Sequence, residues 1–267
     1  AQLARETKRI VEAARESGWE FMGHSFVQGP MHHLDDQRDA IRRTMEAIEK
    51  FAGKPPRGWE SPGLTETEDT IDILAEEGIE YVADWVLDDQ PCRIDTKSGS
   101  MISVPYSVET NDIPIFSLQN RPSDAMLKRT VDQFDQLYAE SETITRVMAI
   151  SMHPYLSGVP HRIGYLKQIY EHIQDRPGVV MMTGEEILDE AERLIFQIAE
   201  ARPKTAQIII SSLGPRGTIR RVFRMLVWRS ALTLGQIVIA APDQCESTSR
   251  TNSRTRGSFS SIVPLNA

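Results

Sequence analysis

Apolar positions in the first 200 residues repeat with two periods, one typical of helices and one typical of strands. Apolar side chains three and four residues apart predict helices at 3–17, 36–52, 65–78, 123–140, 162–174 and 183–200. Short apolar or β-branched runs between them predict strands at 19–22, 57–60, 79–86, 101–108, 146–152 and 178–182. The run RVMAISM at 146–152 is almost continuously apolar, as expected of a strand buried on both faces of a parallel sheet.

The regular alternation of strands and helices predicts an α/β fold with a parallel sheet or barrel. Two capping boxes, TETE at 65–68 and TGEE at 183–186, indicate where two of the helices begin. The pattern opens on a helix, whereas a barrel of βα units opens on a strand. We therefore expect the first strand, with whatever residues it carries, to be missing from this chain.

Charge divides the chain near residue 200. Residues 1–200 carry 20 Lys and Arg against 36 Asp and Glu, a balance of −16, and residues 201–267 carry 10 against 2, a balance of +8. The second stretch also predicts a basic helix at 216–234, a strand-like run at 236–240 and a polar, Ser/Arg-rich segment at 247–261 that cannot form a core. We predict a barrel over 1–200 and a basic, partly disordered extension over 201–267.

Composition excludes several classes of function. An acidic body argues against nucleic acid as the main partner, because phosphate binding needs clustered Lys and Arg. No apolar run reaches the length of a membrane span, and no signal peptide is evident. Two cysteines, Cys92 and Cys245, form no disulfide framework and no metal motif. We expect a small-molecule substrate, no nucleic-acid or membrane partner and a cytoplasmic location, and leave a homo-oligomer and a signal peptide lost upstream open.

Polar side chains that could carry chemistry recur where predicted strands end. They are His24, Arg57 with Glu60, Asp84, and His153. In a parallel barrel these ends open on one face, where active sites gather. A histidine or carboxylate that activates water, a histidine that protonates a leaving nitrogen and a cation that stabilises an oxyanion together suit hydrolysis. Each residue alone is equally compatible with capping, ion pairing or core packing.

Four short motifs in this order resemble the NodB-type polysaccharide deacetylases, and most closely the branch of metal-independent allantoinases and cyclic imide hydrolases. The motifs are GHS at 23–25, RGWESPG at 57–63, ADW at 83–85 and SMHPY at 151–155. The resemblance covers about residues 5–195. It implies a distorted (β/α)7 barrel, similar to a TIM barrel, that hydrolyses amide-type C–N bonds. It aligns His24 with the first histidine of the family, Arg57 with the arginine before its Pro-Gly turn, and His153 with its late general acid.

The chain departs from the metal-dependent members of this family at two places. Those members carry an Asp-Asp motif on the first strand and an H-x3-H motif that hold a divalent metal, usually zinc. The Asp-Asp motif has no counterpart here, and the residue four after His24 is Gln28. A catalytic zinc takes three protein ligands. His32 or His33 could supply a missing one, so the cofactor is unknown: zinc bound by His24 and His32, or a site without metal.

Three aromatic residues complete the predicted site. Trp59 and Trp85 flank it and could form a flat wall for a planar ring, although core packing explains them as well, and Tyr155 follows His153 at the mouth. We predict hydrolysis of a small cyclic amide or ureide, in which His24 with Glu60 or Asp84 activates water, Arg57 stabilises the oxyanion and His153 protonates the nitrogen. The alternatives are N-deacetylation of acetylated sugars and an inactive barrel that serves as a binding module.

Overall fold

Helices and strands alternate along much of the chain in the computed structural model, which describes residue 9, residues 12–85, 87–142 and 144–192, and the backbone of residues 193–200 and 234–239. Six helices are α1 Gln37–Ala52, α2 Thr70–Glu76, α3 Ala125–Glu140, α4 Pro154–Ser157, α5 Ile163–Ile173 and α6 Gly184–Glu200. A 3₁₀ turn at Met31–His33 and a π-helical turn at Ile113–Leu118 interrupt the loops. In the part of the chain described, no helix is both long and apolar enough to span a membrane.

Seven strands fall into two sheets. They are β1 Gly58–Trp59, β2 Tyr81–Val82, β3 Cys92–Thr96, β4 Gly99–Ser103, β5 Arg146–Ser151, β6 Val179–Val180 and β7 Leu234–Ile239. The first sheet has the order β1-β2-β4-β3, in which β1, β2 and β4 run parallel. A parallel bridge from Gly23 to Trp59 adds the segment before His24 to its edge. The predicted parallel α/β arrangement is therefore present in this sheet.

The second sheet has the order β5-β7-β6, and β7 runs antiparallel to both of its neighbours. Its six residues pair along the whole of β5, from Arg146 opposite Ile239 to Ser151 opposite Leu234. These six residues of the predicted extension therefore supply backbone partners for the buried β5 and the partly buried β6, and the division of the chain at residue 200 otherwise stays a prediction. The predicted basic helix at 216–234, apart from residue 234, and the Ser/Arg-rich segment lie outside the described residues.

The two sheets share one apolar core. Tyr81 and Ile102 of the first sheet pack with Val147 and Ala149 of the second and with Leu188 of α6. Because they share this core, the two sheets face each other across it, as opposite parts of a barrel wall do. The described strands nevertheless form two separate sheets and no single hydrogen-bonded barrel. Whether a further first strand completes the fold stays a prediction.

Glycines allow two close contacts inside the first sheet. A Cβ on Gly58 would stand 1.9 Å from the ring of Tyr81, and one on Gly23 would stand 2.2 Å from the ring of Trp59. Both distances are far below van der Waals contact, so only glycine lets each backbone lie against the neighbouring aromatic ring. These contacts fix the approach of the segments that carry His24 and Glu60.

The two predicted capping boxes have different outcomes. Thr183 and Glu186 form one at the start of α6: the Glu186 carboxylate accepts from the Thr183 N–H and the Thr183 hydroxyl accepts from the Glu186 N–H. The box at 65–68 is wrong, because the Thr65 hydroxyl accepts from the Met31 N–H and donates to the Pro62 carbonyl instead. Helix α2 consequently begins five residues later, at Thr70.

The hairpin of β3 and β4 includes a strand, β3, at residues for which the sequence analysis predicts neither helix nor strand. Its five paired positions run from Cys92 opposite Ser103 to Thr96 opposite Gly99. Strand β3 alternates partly buried and exposed side chains, so it follows strand periodicity, but its polar residues hide that pattern. The hairpin covers the free edge of β4.

Candidate active site

Polar side chains follow the carboxyl ends of four strand segments of the two sheets. His24 comes after the bridge at Gly23, Glu60 after β1, Asp84 after β2, and His153 after β5. Contacts join three of them on one face: His24 Nδ1 lies 2.8 Å from the Glu60 carbonyl oxygen, and Asp84 binds Ser61, the residue after Glu60. The charge of His153, which follows the end of β5, lowers the pKa of His24. The structure thus brings four of the five predicted catalytic residues together. That they carry catalysis stays a prediction.

His24 presents one ring nitrogen to the site. Its Nδ1 lies 2.8 Å from the Glu60 carbonyl oxygen, which can only accept, so Nδ1 carries the proton and Nε2 carries the lone pair. Burial lowers the pKa of His24 below its ordinary value, and the positive charge of His153 lowers it further. A neutral imidazole with a free Nε2 is a base that can take a proton from water.

His153 is held by a carboxylate that the sequence pattern did not identify. The Oδ1 of Asp112 lies 2.6 Å from His153 Nδ1, and its Oδ2 accepts from the His153 N–H at 2.7 Å and from the Ser157 hydroxyl at 2.7 Å. Asp112 is fully buried. The three bonds fix the ring so that Nδ1 donates to Asp112 and Nε2 is left for chemistry. Asp112 lies between the predicted strand at 101–108 and a π-helical turn, and only the strand end before it hinted at a role.

Glu60 is a buried acid without a cation beside it. Its side chain is 6% exposed, and desolvation raises the pKa of its carboxyl well above the ordinary range, with a further rise from the negative charge of Asp84. Burial therefore favours the protonated form of Glu60. A neutral carboxylic acid donates a hydrogen bond and does not take a proton from water.

Asp84 is engaged on both oxygens by one serine. Oδ1 accepts from the Ser61 N–H at 2.6 Å and Oδ2 accepts from the Ser61 hydroxyl at 2.8 Å, while the Trp59 indole N–H donates to that hydroxyl at 3.1 Å. Burial raises the pKa of Asp84 to about 7 despite these bonds. The arrangement holds the turn after β1, which carries Glu60, against the end of β2. Because both of its oxygens accept from Ser61, Asp84 is a positioning residue rather than a base for water.

Tyr106 and Asn111 extend the site beyond the predicted residues. Tyr106 follows β4 and is 4% exposed, and the charges of Glu60 and Asp112 both raise the pKa of its hydroxyl beyond the increase that burial causes. The Asn111 amide donates to the Tyr106 oxygen. The strand ends at Ser103, whereas the sequence predicts it to continue to residue 108, so Tyr106 fell inside the predicted strand and no sequence signal marked it as a site residue.

The assignment of Arg57 to this face is wrong. Arg57 precedes β1, at the end of the strand opposite to Glu60. Its guanidinium donates to both oxygens of Glu80, at 2.6 and 2.9 Å, and to Asp189 of α6 at 2.8 Å. Strands of a parallel sheet begin on one face and end on the other. Arg57 and Glu60 are only three residues apart, but they lie on opposite faces because β1 runs between them. Arg57 joins sheet and helix there.

Two of the three aromatic predictions are changed by the structure. Trp59 is wrong as a substrate contact, because it is completely buried and packs with Met31, Ile41 and Leu74. Trp85 is partly buried against the same cluster, which gives it a packing role. Tyr155 is 67% exposed, and its ring centre lies 5.6 Å from that of His153. An exposed aromatic ring beside the candidate acid remains as a surface for a substrate.

The residues near His24 do not fit a zinc site. Its Nε2 accepts a long hydrogen bond, 3.5 Å, from the side-chain amide nitrogen of Gln28, which is a donor and no metal ligand. The His32 ring lies 3.4 Å from the Thr65 carbonyl and packs edge-on against His33, so both are engaged with their own loop. Within the described ranges, no three His, Cys, Asp or Glu side chains form a group that could hold a metal ion.

Solved structures with this fold include deacetylases and an allantoinase. A probable polysaccharide deacetylase from Pseudomonas aeruginosa superposes with a TM-score of 0.66 at 23% identity, over 71% of this chain and 65% of that one. PuuE allantoinase superposes with a TM-score of 0.60 at 24% identity, over 65% of this chain and 59% of that one. These similarities establish a mixed α/β fold of the TIM-like barrel type for the matched part of the chain.

Two curated proteins are similar in sequence. One is a Schizosaccharomyces pombe protein named as a polysaccharide deacetylase, with 28% identity over 70% of this chain and 64% of its own length. The other is a Helicobacter pylori peptidoglycan deacetylase, with 24% identity over 70% of this chain and 74% of its own length. No protein-family model matches the chain. The chain spans about two thirds of the first relative.

Together these similarities confirm the resemblance to polysaccharide deacetylases that the four motifs indicate. The closer placement in the allantoinase branch rests on the PuuE structure, and at 24% identity that similarity concerns the fold.

Proposed function

We propose that the protein hydrolyses a C–N bond other than a peptide bond, and that its substrate is an N-acetylated sugar from which it releases acetate. One observation carries the proposal: two histidines follow strand ends of the same face, each with Nδ1 fixed, His24 by the Glu60 carbonyl and His153 by the buried Asp112 carboxylate, and burial lowers the pKa of His24. Amide hydrolysis needs such a pair, because water must lose a proton and the departing nitrogen must gain one.

His24 is the base in this proposal. Its Nε2 accepts a proton from a water molecule as the water oxygen attacks the acetamido carbon. The Glu60 carbonyl holds the opposite side of the ring, so the lone pair keeps its direction during the transfer. Because burial lowers the pKa of His24, the base stays unprotonated to a lower pH than an exposed histidine would.

His153 is the acid. Its Nε2–H donates a proton to the amine nitrogen as the C–N bond breaks, and Asp112 stabilises the protonated ring before the transfer. The Ser157 hydroxyl and the backbone N–H of His153 hold Asp112 from its other oxygen. Glu60 in its protonated form, which burial favours, donates a hydrogen bond to polar substrate atoms, and Asp84 keeps the Glu60 turn in place.

A sugar fits the exposed surroundings of this pair better than a planar ring does. Trp59 is buried, so the flat wall on which the cyclic-amide prediction rested is missing. Tyr155 offers an open aromatic face beside His153, which suits stacking against a pyranose ring. The names of the curated relatives, which are deacetylases of polysaccharide and peptidoglycan, support the same choice.

Hydrolysis of a small cyclic amide or ureide is the second candidate. The contact between His24 and the Gln28 amide favours it, because this pair does not match a metal-binding H-x3-H motif and a strained ring needs less activation of water. The similarity to the PuuE allantoinase structure points the same way. A barrel that only binds its ligand is the third candidate.

A substrate panel separates these candidates. Acetate release is measured from N-acetylglucosamine oligomers and from peptidoglycan fragments, and ring opening is measured with allantoin, hydantoin and succinimide, each with and without added zinc. The proposal predicts acetate from the acetylated sugars and no ring opening. Ring opening without acetate release would transfer the proposal to cyclic amides, and binding without turnover of either class would favour the non-catalytic barrel.

A further inference from the structure

We propose that the hydroxyl of Tyr106 donates the hydrogen bond that stabilises the oxyanion of the tetrahedral intermediate, and that Asn111 positions this hydroxyl. The inference rests on the proposed hydrolysis of an amide and supplies the group that the predicted Arg57 cannot provide from the other face.

The direction of the Tyr106 hydrogen bond follows from its neighbours. The Ile113 backbone N–H can only donate, and it lies 2.8 Å from Asn111 Oδ1, so that atom is the amide oxygen. The other end of the amide is then the NH₂ group, which faces the Tyr106 oxygen and can only donate to it. The phenol oxygen therefore accepts from Asn111, and its own proton is directed elsewhere.

The backbone that carries Asn111 is anchored to the strand of His153. Asn111 forms a parallel bridge with Ser151, the Ser151 N–H donates to the Thr110 carbonyl at 3.1 Å, and the Thr110 hydroxyl donates to the Ala149 carbonyl. This segment also leads into Asp112, the carboxylate that holds His153. The position of the Tyr106 hydroxyl is thus set by the same elements that set the proposed acid.

Without substrate, the hydroxyl proton of Tyr106 has only a weak hydrogen-bond acceptor nearby. Ser151 is buried beside Tyr106, and its hydroxyl makes no hydrogen bond of normal geometry to any residue that the structure describes. Asp112 has both oxygens occupied. A developing oxyanion is a much stronger acceptor than a serine hydroxyl, so the Tyr106 proton turns to it at little cost in reorganisation.

Tyr106 keeps its proton throughout the proposed hydrolysis. Water oxygen bonds to the acyl carbon, the carbonyl π electrons move to the oxygen, and His24 takes the water proton. The oxyanion electrons then re-form the carbonyl as the C–N bond breaks, and the nitrogen takes a proton from His153. Burial and the nearby carboxyl groups raise the pKa of Tyr106 well above its ordinary value, so the hydroxyl stays a donor throughout at neutral pH.

Tyr106→Phe tests the inference with N-acetylglucosamine oligomers as substrate. We expect kcat to fall by about 10²- to 10³-fold, the cost of one oxyanion-hole donor, with KM changed by less than about threefold. Asn111→Asp should lower kcat comparably, because a carboxylate at this position accepts the tyrosine proton and turns it away from the substrate. Tyr138→Phe is the matched control: its hydroxyl donates to the Pro177 carbonyl on the outside of α3, and its kcat should remain that of the wild type.

A change of acyl group separates an electronic role from a structural one. A trifluoroacetyl amide stabilises its own oxyanion, so the kcat defect of Tyr106→Phe should be clearly smaller with N-trifluoroacetylglucosamine than with the acetyl sugar. Equal defects with both acyl groups, or wild-type kcat in Tyr106→Phe, would overturn the inference and leave the proposed function standing. A wild-type protein that hydrolyses neither sugar amides nor cyclic amides would overturn the proposed function and this inference with it.

Discussion

The Asp112 carboxylate lies 2.6 Å from Nδ1 of His153, and the same carboxylate also accepts from the His153 backbone N–H and from Ser157. One fully buried side chain thus sets the direction of the ring and supplies a negative charge next to it. For this reason we assign to His153 the donation of a proton to the leaving amine nitrogen.

Asp112→Asn should lower kcat for acetate release by about 10²- to 10⁴-fold, the range for loss of general acid catalysis. An amide at this position cannot accept from all three donors, so the ring loses its fixed tautomer. Steady-state kinetics with N-acetylglucosamine oligomers measures the change. Ser157→Ala removes only the hydroxyl bond to Asp112 and should cost less than about tenfold. Equal losses in the two variants would mean that local packing, and not the charge on His153, limits the rate.

Asp84→Asn should change how stability depends on pH. Burial raises the pKa of Asp84 from 3.8 to about 7, so the folded protein keeps a proton that the unfolded chain has already released. The stabilisation from this proton is complete below the ordinary pKa and is lost as the pH rises from 3.8 to about 7. Burial raises the pKa of Glu20 to about 7 as well, which acts in the same direction.

Urea denaturation at a series of pH values measures this effect. The free energy of unfolding of the wild type should decrease through that window, and Asp84→Asn should decrease less, because its amide carries no charge in either state. A wild-type stability that rises over the same window would show that Asp84 is ionised in the folded protein and that its bonds from Ser61 outweigh the burial.

Gly58→Ala should destabilise the fold strongly. Its Cβ would stand 1.9 Å from the Tyr81 ring, and overpacking of a buried site costs about 1–3 kcal/mol or more. Gly164→Ala is the matched control, because a Cβ there meets nothing within 4 Å. In helix α5 this substitution should stabilise by about 0.4–1 kcal/mol. Thermal unfolding of both variants gives the comparison, and a Gly58→Ala midpoint at or above that of Gly164→Ala would refute the close packing of β1 on β2.

Arg57→Gln tests the corrected position of this arginine. It removes ion pairs with Glu80 and Asp189 at the face opposite to the candidate site, which should lower the free energy of unfolding by about 1 kcal/mol. The kcat for acetate release should stay within about twofold of the wild type, because active sites of parallel barrels lie at the other face. A loss of kcat beyond about tenfold, without a change in stability, would return Arg57 to the site.

The sequence predicts well those helices and strand ends that a repeating apolar pattern defines. Helices α1, α3, α5 and α6 begin and end within a few residues of their predicted limits, because one apolar stripe and clear breakers define each of them. The strand ends at His24, Glu60, Asp84 and His153 were found in the same way, since a polar residue after an apolar run marks the edge of a sheet.

Other features depend on contacts that no local pattern records. Asp112 and Asn111 become functional candidates only when their loop pairs with Ser151 of β5. Arg57 and Glu60 are neighbours in sequence, and only the direction of β1 separates them onto opposite faces. Trp59 is an aromatic residue of the kind that lines pockets, but in the folded chain it is completely buried and packs with Met31 and Leu74.

The most direct test of the account measures acetate release from N-acetylglucosamine oligomers by the wild type, His24→Ala and His153→Ala. The control is His172→Ala, which changes a partly exposed histidine of α5 whose Nε2 lies 2.7 Å from Asp135 Oδ1, away from the candidate site. We expect His24→Ala and His153→Ala each to lose about 10²- to 10⁴-fold in kcat, and His172→Ala to keep the wild-type value. Retention of the wild-type kcat by either His24→Ala or His153→Ala would contradict the assignment of base and acid to these two side chains.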